Sequence, residues 1–171
     1  MPNHWHFLLW PEEDGDLAAF MQQLTTKHVR RWQLHRGRVG YGHVYQGRYK
    51  SFPVEEEAYL YQVARYVERN ALRAGLAERA EAWRWSSLWR RIAGTADQRA
   101  LLSAWPVPYP QDWCAFVNAP QTDAEVDAIR RCVVRGQPYG GEQWVHQTAT
   151  QLGLGSSLRA PHRPRKAARS P

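Results

Sequence analysis

Residues 1–10 read MPNHWHFLLW. From His4 to Trp10 the side chains alternate: His4, His6 and Leu8 fall on one side of an extended chain, and Trp5, Phe7 and Leu9 on the other. A period of two predicts a β-strand. Pro11 ends the strand, and the loop EEDGD (12–16) offers Asp14 or Asp16 as a helix cap. Leu17, Phe20, Met21, Leu24, His28 and Val29 then share one helical face, which predicts a helix from about Leu17 to Leu34. A strand ahead of a helix makes the expected class α+β, so the reading of the first ten residues decides the fold.

Beyond that helix, GRVGYG (37–42) is a glycine-rich turn, and VYQGRYKSFPV (44–54) has strand character. A second helix is expected to begin near EEEAY (55–59), with acids in the first turn as the helix dipole favours. In it Leu60, Val63, Ala64 and Val67 form the buried stripe, and Tyr59, Gln62, Tyr66 and Asn70 lie on a neighbouring, less apolar face. Trp83 to Ile92 is a short amphipathic element whose tryptophans, Trp83, Trp85 and Trp89, are read as core. PVPYPQDW (106–113) reads as a linker. TDAEVDAIRRCVVRG (122–136) has an N-cap, early acids, late arginines and a closing glycine, the marks of a complete helix. GEQWVHQTATQLGLGSSL (141–158) reads as a short helix pair. The expected organisation is a core over 1–104, a helical region over 105–158 and a basic, disordered tail over 159–171.

The 171 residues suffice for a core without disulfides, and the two cysteines stand at no metal-like spacing. A reduced, cytoplasmic protein is expected. Trp5 to Trp10 is too short for a signal peptide, and no run reaches membrane-spanning length. The net charge of +7 is segregated. Lys27 to Lys50 contains seven Lys/Arg and no acid, and five more follow Ser156, again without an acid. Such segregation points to a polyanion, nucleic acid before membrane. Arg48 and Lys50 alternate on one predicted strand face and are candidate DNA contacts. Arg163, Arg165 and Lys166 in the tail are candidates for a flexible arm in a groove.

Two histidines two apart on a strand can share a divalent cation, but they do not complete a site. Tyr66 and Asn70 are four apart on a helix and therefore stack one turn above the other. The Asn70 amide oxygen is a candidate third ligand for the cation of His4 and His6, which would put Tyr66 beside it. His28, His35, His43 and His146 have no partner at ligand spacing.

His4-Trp5-His6 within MPNHWHFLLWP resembles the His-hydrophobic-His (HUH) signature of the single-tyrosine transposases. GHVYQGRYKSFPVEEEAYLYQVARYVERNALRAGL (42–76) resembles the block of that superfamily that carries the nucleophilic tyrosine. RGQPYGGEQWVHQTATQLGLGSSLRAPHRPRK (135–166) is similar to the tail of one branch, the REP-associated tyrosine transposases. The resemblance implies a ferredoxin-like HUH core followed by a small helical region. Only three residues precede His4, so the strand-helix-strand that opens the family's core is expected to be missing here. It further implies Tyr66 as nucleophile, His4, His6 and Asn70 as ligands of Mg²⁺ or Mn²⁺, and single-stranded DNA at palindromic repeat hairpins as substrate. The reaction would be cleavage and strand transfer through a 5′-phosphotyrosine, by a monomer or homodimer. Tyrosine titrates near 10 when unperturbed, so such a nucleophile needs help from a metal on the phosphate. Two other readings stand beside it: a catalytically inactive hairpin-binding protein, and a metal phosphodiesterase that uses water. Where the family usually has proline after the asparagine, this chain has Ala71, so the tyrosine helix is expected to run longer.

Overall fold

The computed structural model describes residues 3–159. Its elements are α1 (Asp16–His35), α2 (Ala58–Glu68), α3 (Asn70–Arg73), α4 (Ser87–Ala93), α5 (Ala96–Ala100), α6 (Trp113–Asn118), α7 (Asp123–Arg135), α8 (Glu142–Gln151) and α9 (Gly155–Leu158), with a 3₁₀ turn at Ala80–Ala82.

The expected α+β, ferredoxin-like core is not what the chain forms. Among the described residues there is no sheet; pairing is limited to one isolated parallel bridge, Val54 to Tyr139. The alternation of residues 4–10 does survive in the side chains. The His4 and His6 rings lie 5.1 Å apart, and those of Trp5 and Phe7 5.5 Å apart. A ladder, however, needs a second strand, and a period of two reports only which way side chains point. The segment is held by rings instead: Trp5 lies 5.0 Å from His28, and Phe7 lies 6.1 Å from Phe20. Residues 44–53 likewise form no strand, so Arg48 and Lys50 share no strand face; both are exposed on an irregular segment.

The long first helix forms within a residue or so of its expected bounds, but neither expected cap is used. Gly15 occupies the N-cap at φ 94°, and the Asp16 carboxylate reaches back to the amides of Glu12 and Glu13 at 3.1 and 2.9 Å. On its apolar face only Met21 is buried, and Phe20 is exposed.

α2 organises the rest. Its acids precede it rather than fill its first turn: Glu57 is the N-cap residue, and the Glu55 carboxylate accepts from the Gly141 amide at 2.6 Å. On one side Ala64 joins Ala80, Leu88, Trp113 and Val117, with Tyr61, Leu72 and Trp105 packed around them. On the other, Val63 and Tyr66 join Val126 and Ile129 of α7. A helix apolar on both sides is buried, not amphipathic. The expected less apolar face is therefore inside: Tyr66 is 7% exposed and Asn70 8%.

Three arginines spaced four apart fix α2 to the end of α6. Arg69 donates to the carbonyls of Val117, at 3.0 Å, and Asn118; Arg65 donates to those of Ala119 and Pro120 at 2.7 and 2.9 Å. Arg73 donates to the Gln121 amide oxygen at 3.2 Å. The last carbonyls of a helix have no partner within it, and cations satisfy both them and the dipole.

The helical path continues past Glu68 through α3, as expected without a proline at 71, and stops at Gly75 (φ 68°). There the amides of Gly75 and Leu76 bond back to the carbonyls of Leu72 and Ala71 at 3.0 and 2.9 Å, a Schellman ending that requires the left-handed glycine. The proline-rich run is packed, not free: Val107 is buried, and the Tyr61 hydroxyl donates to the Pro108 carbonyl at 2.6 Å. Trp85, expected in the core, is 67% exposed. α7 follows its sequence signals closely, with a capping box between Thr122 and Glu125 and Gly136 closing it at φ 67°. α8 and α9 form the expected short pair. Both cysteines are free thiols. Among the described residues no helix is long and apolar enough to cross a membrane.

Candidate active site

The opening segment and α2 meet at Tyr66. The His6 ring stands edge-on to the Tyr66 ring, with centroids 5.7 Å apart and planes at 77°. His4 is the next ring along, 5.1 Å from His6, and its Nδ1 lies 2.8 Å from the Asn3 side-chain oxygen. Asn70 sits one turn beyond Tyr66, as the spacing predicts. The chain therefore brings His6 and Tyr66 into contact, with His4 beside the first and Asn70 beside the second.

Arg73, which the sequence reading passed over, joins them. Its guanidinium lies over the Tyr66 ring, 4.2 Å from the centroid, and donates to Asn70 Oδ1 at 2.7 Å. Asn70 Nδ2 is buried without a partner. Arg73 stands seven residues from Tyr66 and three from Asn70, the spacings that share a helical face, so the signal was present in RYVERNALR (65–73). The Tyr66 ring is buried among Val63, Val126 and Ile129. Its hydroxyl makes no hydrogen bond among the described residues, yet it is not one of the sealed, unpaired polar atoms. The ring is held between Arg73, His6 and the apolar side chains.

Burial, then the neighbouring His4 and Arg73, lowers the His6 pKa from 6.5 to about 4. The ring is thus neutral at pH 7, the form that ligates metals. Because the folded value is depressed, the associated stability is present above about 6.5 and is lost as pH falls toward 4. NMR titration should place the His6 Cε1 proton midpoint near 4; a midpoint near 6.5 would show an open, solvated ring instead.

The donor set suits a divalent cation. Two imidazoles on one cation at their usual bond lengths have ring centres about 5 Å apart, which the His4–His6 spacing of 5.1 Å matches. A contact from Nδ1 to Asn3 leaves Nε2 of His4 as the ligating nitrogen. Among the described residues no three His, Cys, Asp or Glu side chains cluster, and Asn70 is the neutral oxygen donor that the sequence puts forward as the third ligand. Its Oδ1 is shared with Arg73, but a carbonyl oxygen has a second lone pair.

Of the candidate DNA contacts, Arg48 and Lys50 are exposed and lie apart from this cluster in sequence, while Arg163, Arg165 and Lys166 lie outside the described residues. Tyr49 is 44% exposed, and Phe52 packs against the Tyr66 cluster.

The candidate site is thus a buried tyrosine ring against His6, with His4 next to His6 and Asn70 one turn along, residue types that nucleophilic and metal-assisted chemistry employ. Residues 1–70, about two fifths of the chain, match the family model described as "Transposase IS200 like", so that stretch is similar to this family. The match begins at the histidine segment and ends at Asn70, so it contains His4, His6, Tyr66 and Asn70. No curated protein and no solved structure matches the chain.

Proposed function

We propose that this protein cleaves and rejoins single-stranded DNA, with Tyr66 as the nucleophile. Transposase-type DNA chemistry is supported by the family match over residues 1–70. The observation that carries the finer reading is the contact of the His6 and Tyr66 rings, which joins residues sixty positions apart in sequence. The substrate class is single-stranded DNA beside palindromic repeats that fold into hairpins.

In the reaction the Tyr66 oxygen bonds to phosphorus as the bond from phosphorus to the 3′ oxygen breaks. The phenolic proton is lost to solvent, and the released 3′ oxygen gains one. One phosphodiester replaces another, so no ATP is needed, and attack by a 3′-OH on the phosphotyrosine reverses the step. Arg73 holds the ring from one face and His6 from its edge, which fixes the direction of the phenolic oxygen. His4, His6 and Asn70 Oδ1 would hold Mg²⁺ or Mn²⁺, which when bound neutralises phosphate charge.

Labelled hairpin DNA with a single-stranded flank, incubated with the protein and Mn²⁺, should yield an adduct stable in detergent. Mass spectrometry should place the nucleotide on the peptide carrying Tyr66. Attachment to another tyrosine, or cleavage with no adduct at all, defeats the proposal; the second result is what a water-using phosphodiesterase gives. One observation favours the inactive hairpin-binding reading, namely the guanidinium already bonded to Asn70. That reading predicts retention of DNA without an adduct. Under the nuclease reading, Arg73→Ala is expected to lower the adduct-forming rate by about 10²-fold through misorientation of the phenol. An unchanged rate would remove Arg73 from the site.

A further inference from the structure

A shallow cleft of about 390 Å³ lies between the end of α4 and the proline-rich run, lined by Arg91, Ile92, Arg99, Trp105 and Tyr109. It falls outside the stretch that matches the transposase family. Its chemistry is that of aromatic rings beside unneutralised guanidinium groups. The Arg91 guanidinium carbon lies 5.9 Å from the Trp105 ring and 5.7 Å from that of Tyr109. Trp105 and Tyr109 meet edge to face at 5.1 Å, and Trp105 stacks on Tyr61 at 5.8 Å.

Neither arginine pairs with a carboxylate among the described residues, whose ion pairs involve Arg65, Arg79 and Arg130. Arg91 donates to the Ser103 carbonyl at 3.2 Å and Arg99 to the Gly94 carbonyl at 2.6 Å. Each bond uses one nitrogen of a group with five N–H donors. Glu68, the carboxylate whose field reaches Arg91, is turned to Trp113 and Ser87. The surrounding sequence repeats the theme. Residues 82–111 carry Arg84, Arg90, Arg91 and Arg99 against one acid, Asp97, with Trp83, Trp85, Trp89, Trp105 and Tyr109 interleaved.

We propose that this cleft is a second single-stranded DNA subsite, in which a base packs on Tyr109 and Trp105 and flanking phosphates pair with Arg91 and Arg99. Aromatic faces with a basic border bind single strands without regard to sequence. Trp105 of the cleft stacks on Tyr61 of α2, which stands five residues before Tyr66. Five residues on a helix are about 7.5 Å of rise and roughly 140° of rotation, so Tyr61 and Tyr66 leave α2 on different sides, in different packed clusters. The inference rests on the single-stranded DNA reading of the protein.

The test uses the full chain and a fluorescent 15-nucleotide oligo(dT), with anisotropy read across a salt series. The wild type is expected to bind, and Tyr109→Leu to weaken binding about tenfold. The Arg91→Gln/Arg99→Gln pair should lower the slope of log affinity against log salt by about 1.4, two phosphates' worth. Arg99 is exposed, so Arg99→Gln alone serves if the pair does not fold. An oligomer carrying 5-bromodeoxyuridine should crosslink to the peptide with Trp105 and Tyr109. Equal binding to a blunt duplex, or competition by thymidine monophosphate at equal concentration, would overturn the assignment to a strand. Wild-type affinity and salt slope in every variant, without that crosslink, overturn the subsite and leave Tyr66 chemistry standing. If the wild type does not bind oligo(dT), the subsite falls, and the Tyr66 reading is decided separately by the adduct on hairpin DNA.

Discussion

Tyr66→Phe should leave the protein folded and abolish covalent attachment to DNA. The substitution removes one oxygen, and that oxygen makes no hydrogen bond among the described residues. The packing against Val63, Val126 and Ile129, the edge contact with His6 and the guanidinium over the ring all involve carbon atoms that phenylalanine keeps. The expected stability change is therefore below about 1 kcal/mol. The expected chemical change is loss of the adduct, about 10³-fold or more, because no other group replaces a nucleophile. Tyr66→Ala would be a poor test, since emptying so buried a site costs about 3–5 kcal/mol by itself. Thermal melts beside gel-resolved adduct formation separate the two effects. A Tyr66→Phe protein that still forms the adduct ends the proposal; one that melts far below wild type would mean that the hydroxyl has a partner.

Part of the candidate cluster and part of the fold were legible in the sequence. His4, His6, Tyr66 and Asn70 were marked by local spacing and by family resemblance, and His6 does meet Tyr66. The helix at 122–136 was legible to the residue because Thr122, Glu125 and Gly136 carry its ends through bonds three or four residues long. The sheet was the error. Alternation in 4–10 reports side-chain direction, whereas a strand is made by a partner distant in sequence, and here Trp5 and Phe7 pack on α1 instead. The burial of Tyr66 and Asn70 was missed for a similar reason. α2 is covered by α6 on one side and α7 on the other, and neither neighbour is written in its own periodicity. Arg65 and Arg69 bond carbonyls about fifty residues away, partners that no local spacing marks.

Trp113→Ala is expected to cost the most stability. The ring is 1% exposed, at the centre of Ala64, Ala80, Leu88 and Val117, and its Nε1 donates to Glu68 at 2.7 Å. Truncation loses the packing, about 3–5 kcal/mol, and leaves a buried carboxylate short of a donor, about 1–3 kcal/mol more. A melting point lower by more than about 10 °C follows for a chain of this size. Trp113→Phe separates the two losses in part, because it keeps a six-membered aromatic ring in the site and removes the N–H together with the rest of the pyrrole ring, a packing loss that does not vary with pH. Burial raises the Glu68 pKa above its ordinary value, although the bonds from Ser87 and Trp113 and the charge on Arg91 pull it down. For a carboxyl with a raised folded pKa, the native state binds the proton more tightly. Its stabilising effect is full below about 4.5 and fades as pH rises toward the folded value. Removing the Trp113 donor takes support from the charged form alone and raises the folded value further. The penalty of Trp113→Phe should therefore be smallest at pH 4, where only the packing loss remains, and grow toward pH 7. Denaturant melts of both proteins across that range measure it; a penalty independent of pH would mean that the indole N–H contributes nothing to holding the charge on Glu68.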